Sequence, residues 1–237
     1  FKLQRNHIAP AGQIERGMWT SLDARFALRL RRLDEALEAL SASERRIWDA
    51  LEAGPAPLAS VLTSHVLDRP LERLVERGLV ILSGFTATDA AHVLGRQNHW
   101  QREAAVLGAR IWSRRPSEPG WTAPADEAAF ARLVVDRLVE QSARAIAEAA
   151  LARDGAPDPA GETRGWAARR ALSGTAPGLM RPRLELTVPL AGIGAAAPTY
   201  YPAIAERLGT TLLLSEHAGV TNALGAVVAG IVQSVRI

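Results

Sequence analysis

Apolar residues recur every three or four positions along most of this 237-residue chain, which is the period of an amphipathic helix. The pattern predicts a helix over residues 20–40, a second that begins near Ser43, and another in which Pro70 occupies an early position. The apolar positions of the second helix are Ile47, Trp48 and Leu51. Gly78 is a natural helix C-cap, and the apolar run that follows, residues 79–82, predicts a strand.

The strongest helical pattern covers residues 125–153. A charged stripe accompanies its apolar stripe, so the helix is predicted to have one buried and one solvated face. The positions predicted to be buried are Phe130, Leu133, Val134, Leu138, Ile146 and Ala149.

The end of the chain has the alternating order of an α/β fold. The apolar segment at residues 184–190 is predicted as a strand that leads into a Gly-Ile-Gly turn, and Pro198 suits the first turn of the next helix. A short strand over 211–214 and a helix rich in small residues follow. We therefore predict a helix-rich α/β fold, with a helical segment over residues 1–83 and an α/β lobe over 84–237.

The turn after this strand is the first candidate site. Gly192 and Gly194 flank Ile193, and without side chains they permit positive φ and close approach of a ligand to the backbone. A phosphate could bind the amides there, at the start of a helix. The alternative is a tight strand-to-helix turn with no ligand, because the longer Gly-x-Gly-x-x-Gly signature is absent.

Asp89 and His92 are the second candidate site, because residues three apart share one face of a helix and these two can exchange protons or bind a metal. The alternative is structural: an Asp that caps the helix and a His that bonds to a carbonyl. Glu216 and His217 follow the strand at 211–214, where α/β proteins collect functional side chains; there the alternative is an ordinary loop pair.

Composition narrows the functional classes. The chain has no cysteine, which excludes disulfides and thiolate metal sites, and its longest apolar run is too short to cross a bilayer. A cytoplasmic location is the default expectation. The net charge is only +3, and the arginine clusters at 29–32 and 45–46 lie among acidic residues, which makes a nucleic-acid partner unfavourable.

Three predicted helices followed by a strand in the first 83 residues resemble a winged-helix unit, whose function would be DNA binding. The third of these helices carries Arg69 and Arg73 but also Glu72 and Glu76, so it lacks the positive face that phosphate contacts need. The alternative is a small helical packing element.

Two separated motifs resemble the A-type subunits of the hydantoinase/oxoprolinase family. One is Gly-Phe-Thr-x-Thr-Asp-Ala-x-His-Val-Leu-Gly over residues 84–95. The other joins Gly-Ile-Gly-Ala at 192–195 to Tyr-x-Pro-x-Ile-Ala-Glu-Arg-Leu-Gly at 200–209 and Glu-His-Ala at 216–218. Together with the segment between them, the motifs cover roughly residues 70–230 of the chain.

The resemblance implies an actin-like ATPase (ribonuclease H-like) lobe and ATP- and Mg²⁺-dependent opening of a small cyclic amide, a hydantoin or lactam. It implies that Gly192, Ile193, Gly194 and Ala195 contact the nucleotide and that Asp89 and His92 lie near the reacting amide or a metal whose identity stays open. It also implies an oligomer and a B-type partner subunit.

Some features depart from the family pattern. An Asp-x-Gly-Gly-Thr phosphate loop is absent from the chain, which begins Phe-Lys-Leu-Gln without Met. We therefore expect a C-terminal fragment that is inactive alone. Two alternatives are a winged-helix transcriptional regulator with a sugar-kinase-like sensing lobe, and a non-catalytic assembly ATPase.

Overall fold

The computed structural model describes residues 22, 24–30, 39–114, 123–174 and 178–228. The protein is 57% helical with two small sheets among these residues, which confirms a helix-rich α/β composition. The chain divides into two compact units, Phe1–Val134 and Val135–Ile237.

Short helices and a three-stranded antiparallel sheet make up the first unit. The strands are β1 (Phe26–Arg29), β2 (Ala56–Pro57) and β3 (Val80–Ser83), in the order β2-β1-β3. The helices are α1 (Ala42–Ala50), α2 (Leu58–Val61), α3 (Asp68–Glu76), α4 (Ala87–Val93) and α5 (Arg102–Ser113), with a 3₁₀ turn at His65–Leu67.

Strand β1 corrects the prediction of a helix over residues 20–40. Phe26 and Ala27 are both completely buried although they point to opposite faces of the sheet. Phe26 packs into a cluster with residues of α5, and Ala27 packs into a separate cluster with residues of α1 and α3. Because apolar clusters cover both faces, the strand lacks the alternation of a half-buried strand. Residues 31–38, which also belonged to the predicted helix, lie outside the described residues.

Helix α1 is fixed at its start by a capping box. It begins two residues before the predicted position, with Ser41 as N-cap: the Ser41 hydroxyl accepts from the Glu44 amide, and the Glu44 carboxylate accepts from the Ser41 amide. The predicted buried residues Ile47, Trp48 and Leu51 lie in the core, together with Leu71 and Leu74 of α3.

Helices α4 and α5 belong to the first unit. Ala24 and Phe26 form a cluster with Ala104, Leu107 and Ile111 of α5. The first unit therefore extends beyond residue 83, and this division of the chain differs from the predicted one at 83/84.

Helix α6 (Glu127–Arg153) confirms the long helix predicted over 125–153, and the division between the units falls within it. Its buried face differs from the predicted one, since only Phe130 of the predicted positions is fully buried and Leu133 is 44% exposed. The other buried residues have small side chains and follow a strict spacing of four: Ala131, Val135, Val139, Ala143 and Ala147.

The second unit contains a two-stranded parallel sheet. Strand β4 (Leu190–Gly192) pairs with β5 (Leu212–Leu214), and helix α9 (Ala197–Arg207) connects them. Parallel pairing requires such a crossover, so the segment is a βαβ unit. Helices α7 (Pro159–Arg164), α8 (Trp166–Ser173) and α10 (Thr221–Val228) complete the described elements, with a 3₁₀ turn at Ala218–Val220. Residues 184–189, predicted as strand, are irregular.

Candidate functional site

The Gly-Ile-Gly turn follows the carboxyl end of β4, as the sequence predicts, and each glycine is there for a different reason. Gly192 is buried, and a Cβ atom there would lie 2.6 Å from Cδ2 of Leu214 on the neighbouring strand. Gly194 has φ +93°, which L side chains rarely adopt, and a Cβ there would meet nothing within 4 Å. Glycine at position 192 therefore permits close packing against Leu214, whereas glycine at position 194 permits the positive φ of the bend and leaves open space beside it.

A backbone hydrogen bond ties this turn to the loop after β5. The Gly194 amide donates to the carbonyl of Ala218 at 2.8 Å, and Ala218 is buried. Glu216 and His217, which directly precede Ala218, are both exposed. The structure thus brings two sequence-predicted features, the glycine turn and the Glu-His pair, to the same edge of the sheet. Sequence reasoning missed Ala218 itself, because a carbonyl contact leaves no side-chain signature.

Other amides of the turn remain available to a ligand. Ala195 and Ala196 donate no hydrogen bond to a backbone carbonyl of the described chain, and they precede the first turn of α9. Pro198 occupies that first turn, as predicted, where its missing amide costs no helical hydrogen bond. The Ile193 side chain is 58% exposed, so the turn lies at the protein surface. This arrangement of free amides at a helix start attracts an anion.

Asp89 takes part in the capping box of α4. Thr86 is the N-cap, and the Asp89 carboxylate accepts from the Thr86 amide at 2.8 Å and from its hydroxyl at 2.7 Å. Burial raises the pKa of the Asp89 carboxyl above its usual range, and the hydrogen bonds from Thr86 oppose that shift. These contacts match the structural alternative of an Asp that caps its helix.

His92 is the most buried titratable side chain of α4, with 1% of its surface exposed. Its Nδ1 lies 2.7 Å from the Thr88 carbonyl and therefore donates to it, while Nε2 accepts from the Trp100 amide at 3.1 Å. Both ring nitrogens thus have backbone partners, which also fixes the loop between α4 and α5. Sequence reasoning missed Trp100, whose contribution is again a backbone group.

The described residues contain no group of three or more His, Asp or Glu side chains arranged to hold a metal ion. Among the same residues no helix is both long enough and apolar enough to pass through a bilayer. The predicted Asp89–His92 pair would therefore need further ligands from elsewhere to bind a metal.

Comparison with known proteins finds no relative. No protein-family model matches the chain, no curated protein matches it, and no solved structure matches it. We therefore infer the function from the residues and their geometry.

Proposed function

We propose that the chain is the C-terminal part of an ATP-dependent cyclic amide hydrolase of the hydantoinase/oxoprolinase type, in which the turn at 192–195 contacts the nucleotide. The observation that supports it best is the hydrogen bond from Gly194 to Ala218. It joins two stretches, Gly-Ile-Gly-Ala and Glu-His-Ala, that carry the resemblance and lie more than twenty positions apart in the sequence.

The geometry of the turn is suitable for a phosphate group. Free amides at Ala195 and Ala196, the positive end of the α9 dipole and the open space beside Gly194 are the features that oxyanion binding requires. The turn also lies at the carboxyl end of a parallel strand, where open α/β sheets bind ligands.

The chemistry follows from what a bound ATP supplies: transfer of its terminal phosphoryl group to an amide oxygen turns a poor electrophile into a good one. The part of the chain at the turn would hold and orient the phosphates through backbone amides. The described residues offer no ligand cluster for Mg²⁺, so the proposal assigns none of them to that ion.

Asp89 and His92 enter this proposal as positioning residues, because their contacts are internal. The capping box fixes the start of α4, and His92 bonds to the Thr88 and Trp100 backbone. The hypothesis of a catalytic pair predicts that a double alanine variant loses activity and bound metal without loss of fold. A folded double alanine variant that retains full activity and metal content would contradict the hypothesis of a catalytic pair.

A cytoplasmic location, an oligomer and a B-type partner subunit remain parts of the proposal.

The experiment is nucleotide binding to the full-length protein, measured by calorimetry. Gly194→Val should weaken ATP binding by roughly tenfold or more, because a β-branched residue displaces the backbone at positive φ. Gly95→Val is the matched control: Gly95 also has positive φ with open space for a Cβ, but it follows α4 in the first unit. Equal affinities for ATP in the two variants would refute the assignment of the turn.

A cyclic amide assay then separates this proposal from the non-catalytic alternative. Hydrolysis of ATP that depends on an added hydantoin or lactam supports the amide hydrolase. Hydrolysis at the same rate without any amide would favour an assembly ATPase.

A second candidate function, a winged-helix DNA-binding regulator, is favoured by one observation: the helices α1, α2 and α3 lie in sequence between the first and last strands of a three-stranded antiparallel sheet. The charges oppose it, because Arg73 and Arg77 of the α3 region both pair with the buried Glu44. The single Glu44 carboxylate offsets part of their positive charge within the unit, which reduces their value for phosphate contacts. A gel shift with duplex DNA that weakens steeply with salt would support this candidate.

A further inference from the structure

The second unit contains a cleft of about 660 Å³ that the proposed function does not use. Ligand pockets commonly occupy roughly 300–1,000 Å³, so a small molecule fits. The cleft is lined by α8, the irregular segment after residue 178 and the C-terminal end of α9. Its cationic lining residues are Arg170, Arg181, Arg183 and Arg207.

Arg207 is half-buried in this cleft, and little negative charge offsets the positive charge of its guanidinium group. It donates one hydrogen bond to the Leu172 carbonyl, and no carboxylate of the described residues forms an ion pair with it. A guanidinium has five N–H donors, so most of the donors of Arg207 have no acceptor among the described residues. Such a fork suits a carboxylate or a phosphate, which it can bind with two parallel hydrogen bonds.

Two glycines make room for the charged groups of this cleft. Gly174 has φ +63°, and a Cβ there would lie 2.4 Å from Nη2 of Arg207. Gly209 has φ +58°, and a Cβ there would lie 2.9 Å from Cγ of Glu185. A larger residue at either position would push the neighbouring side chain aside, so the two glycines leave the space that Arg207 and Glu185 occupy beside the cavity.

The acidic residues of the lining limit which charged groups a ligand of the cleft can carry. Asp136, Glu185 and Glu206 face four arginines, which leaves one positive charge in excess. The ion pair between Arg183 and Glu185, at 3.8 Å, joins two largely exposed side chains and contributes little. A polyanion would therefore meet repulsion, whereas a ligand with one oxyanion group and hydrogen-bond donors at its other end would find partners for both.

We infer that this cleft binds a small molecule that carries one carboxylate or phosphate group, held by Arg207 and Arg170, and donor groups that meet Glu185 and Glu206. The site is separate from the glycine turn. It lies at the C-terminal end of α9, whereas the turn precedes its N-terminus, and the eleven residues of the helix span about 16 Å.

The test is calorimetric titration of the full chain with two probes, inorganic phosphate and L-alanine, in the absence of nucleotide. At least one probe should bind, and Arg207→Gln should weaken its binding about tenfold or more. Arg169→Gln is the matched control, since Arg169 is the exposed neighbour of Arg170 on α8 and does not line the cleft. Binding of phosphate alone identifies a phosphate ligand, and binding of L-alanine alone identifies an amino carboxylate.

Glu206→Gln tests the role of the acidic lining residues. The variant should bind L-alanine more weakly and inorganic phosphate more tightly than the wild type does. If Arg207→Gln does not fold, Arg181→Gln at the exposed rim replaces it, with an expected weakening of about threefold. Absence of binding by both probes, or equal weakening by Arg207→Gln and Arg169→Gln, would overturn the inference. Inorganic phosphate is also the group proposed to bind the glycine turn, so phosphate binding is assigned to the cleft only where Arg207→Gln weakens it and Gly194→Val leaves it unchanged.

Discussion

Gly194 and Ala218 are joined by a 2.8 Å hydrogen bond between the amide of the first and the carbonyl of the second, although 24 positions separate them in the sequence. The bond connects the loops that follow the two parallel strands. A turn whose central residue has positive φ would otherwise be free to change its conformation. The contact therefore holds the remaining amides of the turn in one orientation, which reduces the entropic cost of binding a ligand there.

Gly192→Ala should destabilise the protein by about 1 kcal/mol. The added methyl group would meet Cδ2 of Leu214 at 2.6 Å, which can turn toward solvent because Leu214 is 40% exposed, and Cβ of Ala197 at 3.3 Å, which has no rotamer to change. Urea denaturation measures the change in the free energy of unfolding. Gly225→Ala provides the control, since Gly225 lies in α10 with open space around it and alanine favours a helix. Equal stability of Gly192→Ala and the wild type would contradict the prediction and would mean that Leu214 of β5 moves aside for the methyl group at no cost.

Glu44 should make the stability of the protein depend on pH in the acid range. Its hydrogen bond from Arg73 is the main cause that lowers its pKa from 4.5 to about 2. Because the folded-state pKa lies below the unfolded one, the stabilisation is complete above pH 4.5 and is lost as the pH falls toward 2. We expect about 2 kcal/mol, less than the full shift implies, because Arg73 is half exposed to solvent.

Glu44→Gln tests this directly. The variant should lose that part of the pH dependence in denaturation curves between neutral and acid pH, while Glu72→Gln, whose ion pair with Arg69 is exposed, should retain it. A Glu44→Gln curve parallel to that of the wild type would contradict the prediction.

Thr163→Val should cost about 1–2 kcal/mol of unfolding free energy in the second unit. Thr163 is completely buried, and its hydroxyl contacts the Glu148 carboxylate at 2.6 Å and the Ala160 carbonyl at 3.2 Å. Valine keeps the shape but leaves Glu148 without that donor. Thermal unfolding compares it with Thr221→Val, because the Thr221 hydroxyl bonds, among the described residues, to the His217 and Ala218 carbonyls of its own turn. If Thr163→Val loses less unfolding free energy than this control, the hydrogen bond from Thr163 to Glu148 does not stabilise the second unit.

The sequence predicted elements well where the local signal and the tertiary structure agree. The long helix, Gly78 as a C-cap and the strand–turn–helix around Gly192 all follow from local spacing and backbone requirements. The signal failed at β1, because Phe26 and Ala27 are buried on opposite faces of the sheet and the strand carries no alternation that would distinguish it from a helix.

The buried face of α6 shows a second limit. Hydrophobicity favours Leu133 and Leu138, but alanine and valine at a strict spacing of four are buried instead. Which face packs depends on how closely the backbones approach, and this information is not local. Contacts of backbone groups, such as Trp100 to His92 and Gly194 to Ala218, are equally hidden from a reading of side chains.

His92→Leu separates the structural role of His92 from a catalytic one. The variant removes the ring's hydrogen bonds to the Thr88 carbonyl and from the Trp100 amide, which should lower the free energy of unfolding by about 2–3 kcal/mol. His99→Leu is the control, because His99 is exposed in the same loop and should change stability little. Urea denaturation of the two variants gives the comparison. If His92→Leu unfolds like the wild type but loses activity, its role lies in the chemistry; if it loses stability first, the bonds to Thr88 and Trp100 explain why a histidine stands at this position.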